Sequence, residues 1–80
     1  MQNQAILTLD LHGKNSFQAK VAIDSTLKKA GGAYRIRLVH GYRHGDALKE
    51  MIQSQYAHHP QVLRLEAQGD GVTVLVLREL

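Results

Sequence analysis

The chain has 80 residues and a mass of 8.9 kDa, the size of one small domain, so a second catalytic or regulatory module is excluded. It contains no cysteine, which excludes disulfides, thiolate nucleophiles and cysteine-ligated zinc. Ten Lys and Arg against seven Asp and Glu give a net charge of +3, which suits a nucleic-acid partner but which solubility alone would also produce.

The sequence shows neither the pattern of a signal peptide nor an apolar run of about 18 residues, the length that a membrane span needs. We therefore expect one domain over residues 1–80, a cytoplasmic location and no contact with a membrane.

The first part of the chain predicts a strand followed by a helix. Residues 5–11 alternate between two faces with the period-2 pattern of a half-buried strand. A helix over residues 16–30 follows, because Asn15 is a good N-cap with Gln18 three residues later. The glycines at residues 31–32 can end this helix in a left-handed conformation.

The rest of the chain predicts a strand, a second helix and two final strands. Residues 34–39 alternate again, and residues 46–56 have helical spacing of apolar positions. Strands over residues 62–67 and 72–77 are joined by the tight-turn sequence of residues 68–71. The buried face of the second helix is expected to carry Ala47, Leu48, Met51, Ile52 and Gln55.

These elements predict an α/β (α+β) two-layer sandwich with the order βαβαββ, in which a four-stranded mixed sheet has two helices on one face. Crossover connections are right-handed, so both helices share a face only if the chain advances across the sheet in one direction twice. The fourth strand is the most continuously apolar and therefore belongs in the centre. The strand order 1-2-4-3, with strand 4 antiparallel, satisfies these constraints.

The candidate catalytic and binding residues concentrate in the two loops that follow the parallel strands. The first loop includes residues 9–13 (LDLHG), and the second spans residues 40–45 (HGYRHG). Ligands of such sheets bind outside the carboxyl ends of the strands, where these loops meet. The sequence therefore predicts a binding site at this edge.

These motifs resemble the Smr (small MutS-related) domain family over about residues 7–77. The LDLHG run, the His-Gly pair of residues 40–41 and the Gly-x-Gly turn of residues 69–71 occur in the family's order. The family usually has His-Gly-x-Gly or Thr-Gly-x-Gly as its second motif, whereas this chain has Arg43 at the second glycine and a glycine two residues later. The resemblance implies a fold like the C-terminal domain of translation initiation factor three, and nucleic-acid binding with nicking or ribonuclease activity.

Asp10, His12 and His40 are the candidate catalytic residues. Asp10 and His12 lie two apart, so on a continuing strand the carboxylate can orient the imidazole, which is then a candidate general acid or base. His40 is the candidate second acid, base or phosphate contact, but it has the parity of inward-facing Leu38 and must lie beyond the strand end to meet His12. Two alternatives stay open: Asp10 and His12 bond the loop backbone and cap the helix, and His40 is buried and hydrogen-bonded.

The same loops hold candidates for binding nucleic acid. Gly13 and Gly41 let a phosphate approach the backbone, and Lys14 and Arg43 can contact it. Tyr42 can stack on an unpaired base. A simple turn requirement explains the glycines equally well, and ordinary solvated side chains are the alternative for the others.

The sequence predicts a basic patch on the face of the sheet that the helices leave uncovered. Arg35, Arg37 and Arg64 fall on the polar parity of strands 2 and 3. Arg35 or Arg37 pairing with Glu66 or Asp10 is the alternative to a nucleic-acid contact.

The sequence favours a nucleic-acid-binding domain with weak endonuclease activity on DNA or RNA. The alternatives are a non-catalytic binding module and a protein-interaction module, such as a homodimer through the edge of strand 1 or 3. No cofactor is required by the spacing, and no metal ligand is assigned. A divalent metal such as Mg²⁺ would use Asp10, His12 and His40, the ligand types of a two-His-one-carboxylate site.

Overall fold

The computed structural model describes residues 5–42 and 46–79, which form a sheet of four strands and two helices. The elements in chain order are β1 (Ile6–Asp10), α1 (Ser16–Lys28), β2 (Arg35–Val39), α2 (Asp46–Tyr56), β3 (Arg64–Ala67) and β4 (Val72–Val76). The strand order is β1-β2-β4-β3; β1 and β2 are parallel, and β4 is antiparallel to both neighbours. The predicted element order and sheet topology are confirmed.

A single core lies between the sheet and both helices, as predicted. Each helix buries residues at i, i+4 and i+8, so a single stripe of each faces the sheet. Full burial of a Leu or Ile side chain contributes about 1.5–3 kcal/mol relative to its exposure. The buried core residues are Ala19, Ile23 and Leu27 of α1, Leu48, Ile52 and Tyr56 of α2, Ile36, Leu38 and Leu75 of the sheet, and Leu11 and Val62 of the connecting segments.

The other face of β4 is also buried, although no helix or second sheet of the described residues packs on it. Val74 and Val76 pair with residues of β2 and β3 on this face, yet they are 2% and 0% exposed. Polar side chains of the neighbouring strands and the segments that follow β3 and β4 bond to one another. The contacts are Arg37 Nε to Gln68 Oε1 at 2.7 Å, Arg37 Nη1 to Thr8 Oγ1 at 3.4 Å, Arg64 to Glu66 at 2.8 Å and Arg64 to Glu79 at 3.1 Å.

Helix α1 begins as predicted but ends two residues earlier, at Lys28. The N–H groups of Lys29 and Ala30 donate to the carbonyls of Thr26 and Leu27, three residues back, so the last turn tightens and the α-helix stops. The chain then turns at Gly31, whose φ of +57° is the left-handed conformation expected there.

The strands are also one or two residues shorter at their ends than predicted: residues 5, 11, 34, 62, 63 and 77 lie outside them. Helix α2 has the predicted bounds but a different buried face, because Tyr56 is buried while Ala47 and Gln55 are exposed. Neither helix of the described part of the chain has the length and apolar character that crossing a membrane requires.

Candidate functional site

The loops after β1 and β2 leave the sheet side by side. Leu11 is fully buried, and its N–H donates to the carbonyl of Val39 at 2.8 Å, which continues the parallel pairing one residue beyond β1. Both loops then line one open cleft of about 600 Å³. Its walls are residues 12–15 of the first loop, residues 40–42 of the second loop and Leu48 of α2.

Asp10 and His12 form an exposed pair in the first loop. The carboxylate Oδ1 of Asp10 accepts the backbone N–H of His12 at 3.0 Å, and the same oxygen lies 3.6 Å from His12 Nδ1. The side chains of His12 and Asp10 are 79% and 69% exposed, so this ion pair adds little to stability. Asp10 therefore bonds the loop backbone and also lies beside the imidazole. The helix cap that the alternative reading gave to Asp10 and His12 is instead Asn15.

A tight turn connects this pair to α1. The N–H of Lys14 donates to the carbonyl of Leu11 at 3.0 Å, and Gly13 has a φ of +83°, the left-handed conformation that a type II turn needs at its third position. Asn15 then forms the predicted capping box with Gln18: each side-chain oxygen accepts the other residue's N–H, at 2.8 and 3.0 Å. Because these two N–H groups are bonded within the protein, the positive charge at this wall of the cleft comes mainly from Lys14.

His40 lies at the inner end of the cleft and is 4% exposed. Its Nδ1 is 2.8 Å from the carbonyl oxygen of Gly41, and its Nε2 is 2.9 Å from Thr73 Oγ1. The backbone N–H groups of His40 and Gly41 both donate to the carbonyl of Gly71, at 2.9 and 3.0 Å. His40 thus has the buried, hydrogen-bonded geometry that the sequence left open as an alternative.

Tyr42 follows at the rim of the cleft and is 71% exposed. Arg43 lies outside the described residues. Arg35 and Arg37 belong to the helix-free face of the sheet, with Arg37 bonded to Gln68 and Thr8. The structure therefore brings the candidates of the two loops together and leaves the two β2 arginines on a separate surface.

The three residues considered as metal ligands do not fit a metal held by the protein. Both ring nitrogens of His40 already have hydrogen-bond partners, and Asp10 Oδ1 accepts the N–H of His12. Within residues 5–42 and 46–79, no group of three or more His, Asp and Glu side chains is arranged to hold a metal ion.

Two residues that shape the site were missed from the sequence. The sequence predicts Gly71 only as part of the Gly-x-Gly turn of the family motif, and Thr73 only as part of an apolar strand. A usable signal existed for Thr73: it is the only hydroxyl residue of β4, with the parity of inward-facing Leu75. A buried hydroxyl needs a partner, which in this fold is His40.

Comparison with known proteins agrees with this fold and these loops. A family model described as the Smr domain matches residues 9–78. No curated protein sequence matches the chain. Among solved structures, the crystal structure of the Smr domain of Thermus thermophilus MutS2 is similar, with 30% sequence identity and a TM-score of 0.82 over 91% of this chain and 99% of that one. Because the family match includes both loops and nearly the whole sheet, the chain belongs to the Smr domain family, a family of nucleic-acid-binding domains.

Proposed function

We propose that this Smr domain binds DNA or RNA across the cleft and cleaves a phosphodiester bond there as a weak endonuclease. The observation that carries the proposal is the exposed Asp10–His12 pair, because His12 also lines the cleft where the two loops converge. An imidazole beside a carboxylate and open to solvent is available to a phosphodiester substrate as an acid or base near neutral pH.

The cleft has the features that hold a nucleic-acid strand. Lys14 supplies a positive charge for a phosphate, and the left-handed turns at Gly13 and Gly41 leave open space where a side chain would otherwise stand. Tyr42 offers an exposed ring on which an unpaired base can stack. Together these features favour a single-stranded or locally opened substrate.

Arg35 and Arg37 are on another surface, the helix-free face of the sheet. We assign them a supporting role as a basic surface that attracts the nucleic-acid backbone, with no part in the chemistry. Such attraction weakens as salt concentration rises.

In the proposed reaction, His12 acts as the base and Asp10 holds its ring. With RNA, the neutral imidazole takes the proton of a 2′-hydroxyl, whose oxygen attacks phosphorus while the bond from phosphorus to the 5′-oxygen breaks. The leaving oxygen takes a proton from water. With DNA, the imidazole takes the proton of a water whose oxygen attacks phosphorus, one of the two ester bonds from phosphorus to a sugar oxygen breaks, and that oxygen takes a proton from another water.

Cleavage of end-labelled RNA and DNA tests this proposal. Single- and double-stranded substrates are incubated with wild type, His12→Ala and His58→Ala, each with Mg²⁺ or with EDTA. His58 is the matched control, because it is an exposed histidine just after α2 and does not line the cleft. We expect His12→Ala alone to lose cleavage, at a level about 100-fold below wild type or lower. Equal cleavage by wild type and His12→Ala would overturn the assignment of the base.

A non-catalytic binding module is the second candidate. The observation that favours it is the engagement of both His40 nitrogens, which leaves His12 as the one imidazole among the cleft-lining residues with a largely exposed ring. Binding by wild type with no cleavage of any substrate would establish this alternative. A homodimer would form through β1 or β3, the outer strands of the sheet, and sedimentation with and without nucleic acid would detect it.

A further inference from the structure

We infer that the hairpin between β3 and β4 supports the second loop of the nucleic-acid cleft: Gly71 holds the loop backbone directly, and Thr73 positions the loop through His40. This inference rests on the proposed function and deepens it, because it names the residues that fix the shape of the cleft and assigns His40 a positioning role.

Gly71 holds the backbone of the second loop directly. Its carbonyl oxygen accepts two consecutive amides, those of His40 and Gly41, at 2.9 and 3.0 Å. A Cβ atom on Gly71 would lie 3.3 Å from the Cα of Gly41, closer than side chains normally approach a backbone. The hairpin and the loop are therefore in backbone contact, and a larger residue at Gly71 would push the loop away.

The hydrogen-bond partners of the His40 ring indicate which tautomer the neutral ring adopts. A carbonyl oxygen can only accept, so Nδ1, at 2.8 Å from the oxygen of Gly41, carries a proton. In the neutral ring Nε2 is then an acceptor, and the Thr73 hydroxyl, at 2.9 Å, donates to it. His40 and Thr73 are each 4% exposed, so water cannot readily replace either partner.

In this arrangement His40 positions the second loop. Its Nδ1–H donates to the carbonyl of Gly41 and so fixes the direction of that carbonyl. Gly41 itself has a φ of +79°, which is the left-handed conformation. Neither ring nitrogen is free to meet a phosphate, so acid–base chemistry falls to His12. Thr73, 33 residues further along the chain, acts through His40 and is a positioning residue.

Substitutions of Thr73 test the inference. Thr73→Val keeps the branched shape but removes the hydroxyl, and Thr73→Ser restores it. Thr26→Val, on α1 and outside the cleft, is the control for the same chemical change. Two properties are measured: affinity for a labelled single-stranded RNA, and the NMR signals of the His40 ring in protein labelled with nitrogen-15. Urea unfolding of every variant checks that each one is folded, so that the affinities and ring signals compared are those of folded protein.

We expect the wild-type ring to be the Nδ1–H tautomer, with an imidazole proton protected from exchange. Thr73→Val should lose that protection and bind RNA roughly three- to tenfold more weakly, since a buried acceptor is left unpaired. The RNA affinities of Thr73→Ser and Thr26→Val should stay within about twofold of wild type. Thr73→Ser keeps the hydroxyl that bonds His40, and Thr26→Val lies outside the cleft.

Equal affinity of Thr73→Val and wild type would overturn the inference and leave the proposed function standing. A serine variant as weak as the valine variant would also overturn it, because the hydroxyl would then not be the cause. If wild type binds no nucleic acid, the proposed function fails and the cleft is not a nucleic-acid site, but the ring signal still tests whether Thr73 positions His40. An Nε2–H tautomer in wild type then contradicts it, while an Nδ1–H signal lost in Thr73→Val supports it.

Discussion

Replacing Tyr56 with Phe removes one hydroxyl from the contact between the two helices. Tyr56 is 1% exposed, and its hydroxyl donates to the carboxylate of Asp24 on α1. Lys20, one turn before Asp24, bonds the same carboxylate at 2.8 Å. The His59 ring lies against Tyr56 with its centroid at 5.5 Å. This cluster joins the C-terminal end of α2 to the middle of α1, so it should contribute to the stability of the helical layer.

The expected loss follows from the charge and exposure of the partner. A hydrogen bond to a charged group contributes about 1.5–3 kcal/mol, but the Asp24 side chain is 39% exposed, and water can replace part of that contact. Phe fills the same ring volume, so no cavity opens. We expect Tyr56→Phe to lower the free energy of unfolding by about 1–2 kcal/mol and Tm by roughly 4–16 °C.

The loss should depend on pH in a defined direction. Partial burial opposes ionisation of Asp24, but the hydrogen bonds from Lys20 and Tyr56 outweigh it and lower the pKa of Asp24 below its usual 3.8. A lowered carboxyl pKa gives stability that is present above the unfolded value and is lost as pH falls through the folded value. Burial, reinforced by Asp24, raises the pKa of Tyr56 well above 10, so the hydroxyl keeps the proton that it donates.

Urea unfolding of wild type and Tyr56→Phe at a series of pH values from neutral to about 3 measures this dependence. Tyr34→Phe is the matched control, since that tyrosine lies just before β2 and outside the Asp24 cluster. The stability difference should be largest near neutral pH and shrink below about 3.8, the unfolded value. A variant as stable as wild type at neutral pH, or a difference that does not change on acidification, would refute the reasoning.

Three further predictions concern the loops of the cleft. Asn15→Ala removes one half of the capping box, so the free energy of unfolding measured in urea should fall by about 1 kcal/mol; no change would mean that the cap contributes nothing. Gly41→Ala forces a side chain into φ +79° and should cost about 1–2 kcal/mol by the same measurement, while Gly32→Ala, which has open space around it, should cost much less. Lys14→Ala should reduce the slope of log affinity against log salt by about one, whereas Lys28→Ala at the other end of α1 should leave it unchanged; equal slopes would remove Lys14 from the phosphate contacts.

The topology was predictable because several independent patterns agree. Alternation in β1 and β2 separates a core face from a polar face, and the continuous apolar run of β4 requires burial on both faces. The rule of right-handed crossovers then leaves one arrangement with both helices on the same side. The capping box at the start of α1 is a local pattern and was also predictable.

The end of the buried face of α2 was only partly predictable from its own residues. Tyr56 continues the stripe of Leu48 and Ile52 at a spacing of four, and Gln55 continues Met51 at the same spacing, so helical spacing alone allows either residue to end the stripe. Tyr56 is buried because α1 places Asp24 where the phenol hydroxyl can bond it. A polar atom at the end of a large ring can be buried when another element supplies its partner, and that partner is invisible in the local sequence.

The same limit applies to the cleft. The convergence of the two loops follows from parallel strands, so the location of His12 and His40 in loops at one edge of the sheet could be predicted. The contacts of His40 could not, because they depend on the antiparallel register that sets Leu38 opposite Thr73. Register between strands distant in sequence comes from tertiary packing, and it places Thr73 and Gly71 under the second loop.

The most direct test of the cleft as the nucleic-acid site is a titration of the protein, labelled with nitrogen-15, with short single-stranded RNA or DNA, followed through its backbone amide NMR signals. We predict that the largest shifts occur at residues 12–15 and 40–42, which line the cleft, with smaller shifts near Arg35 and Arg37 on the helix-free face. Shifts confined to that face, with the cleft amides unchanged, would contradict the assignment of the site.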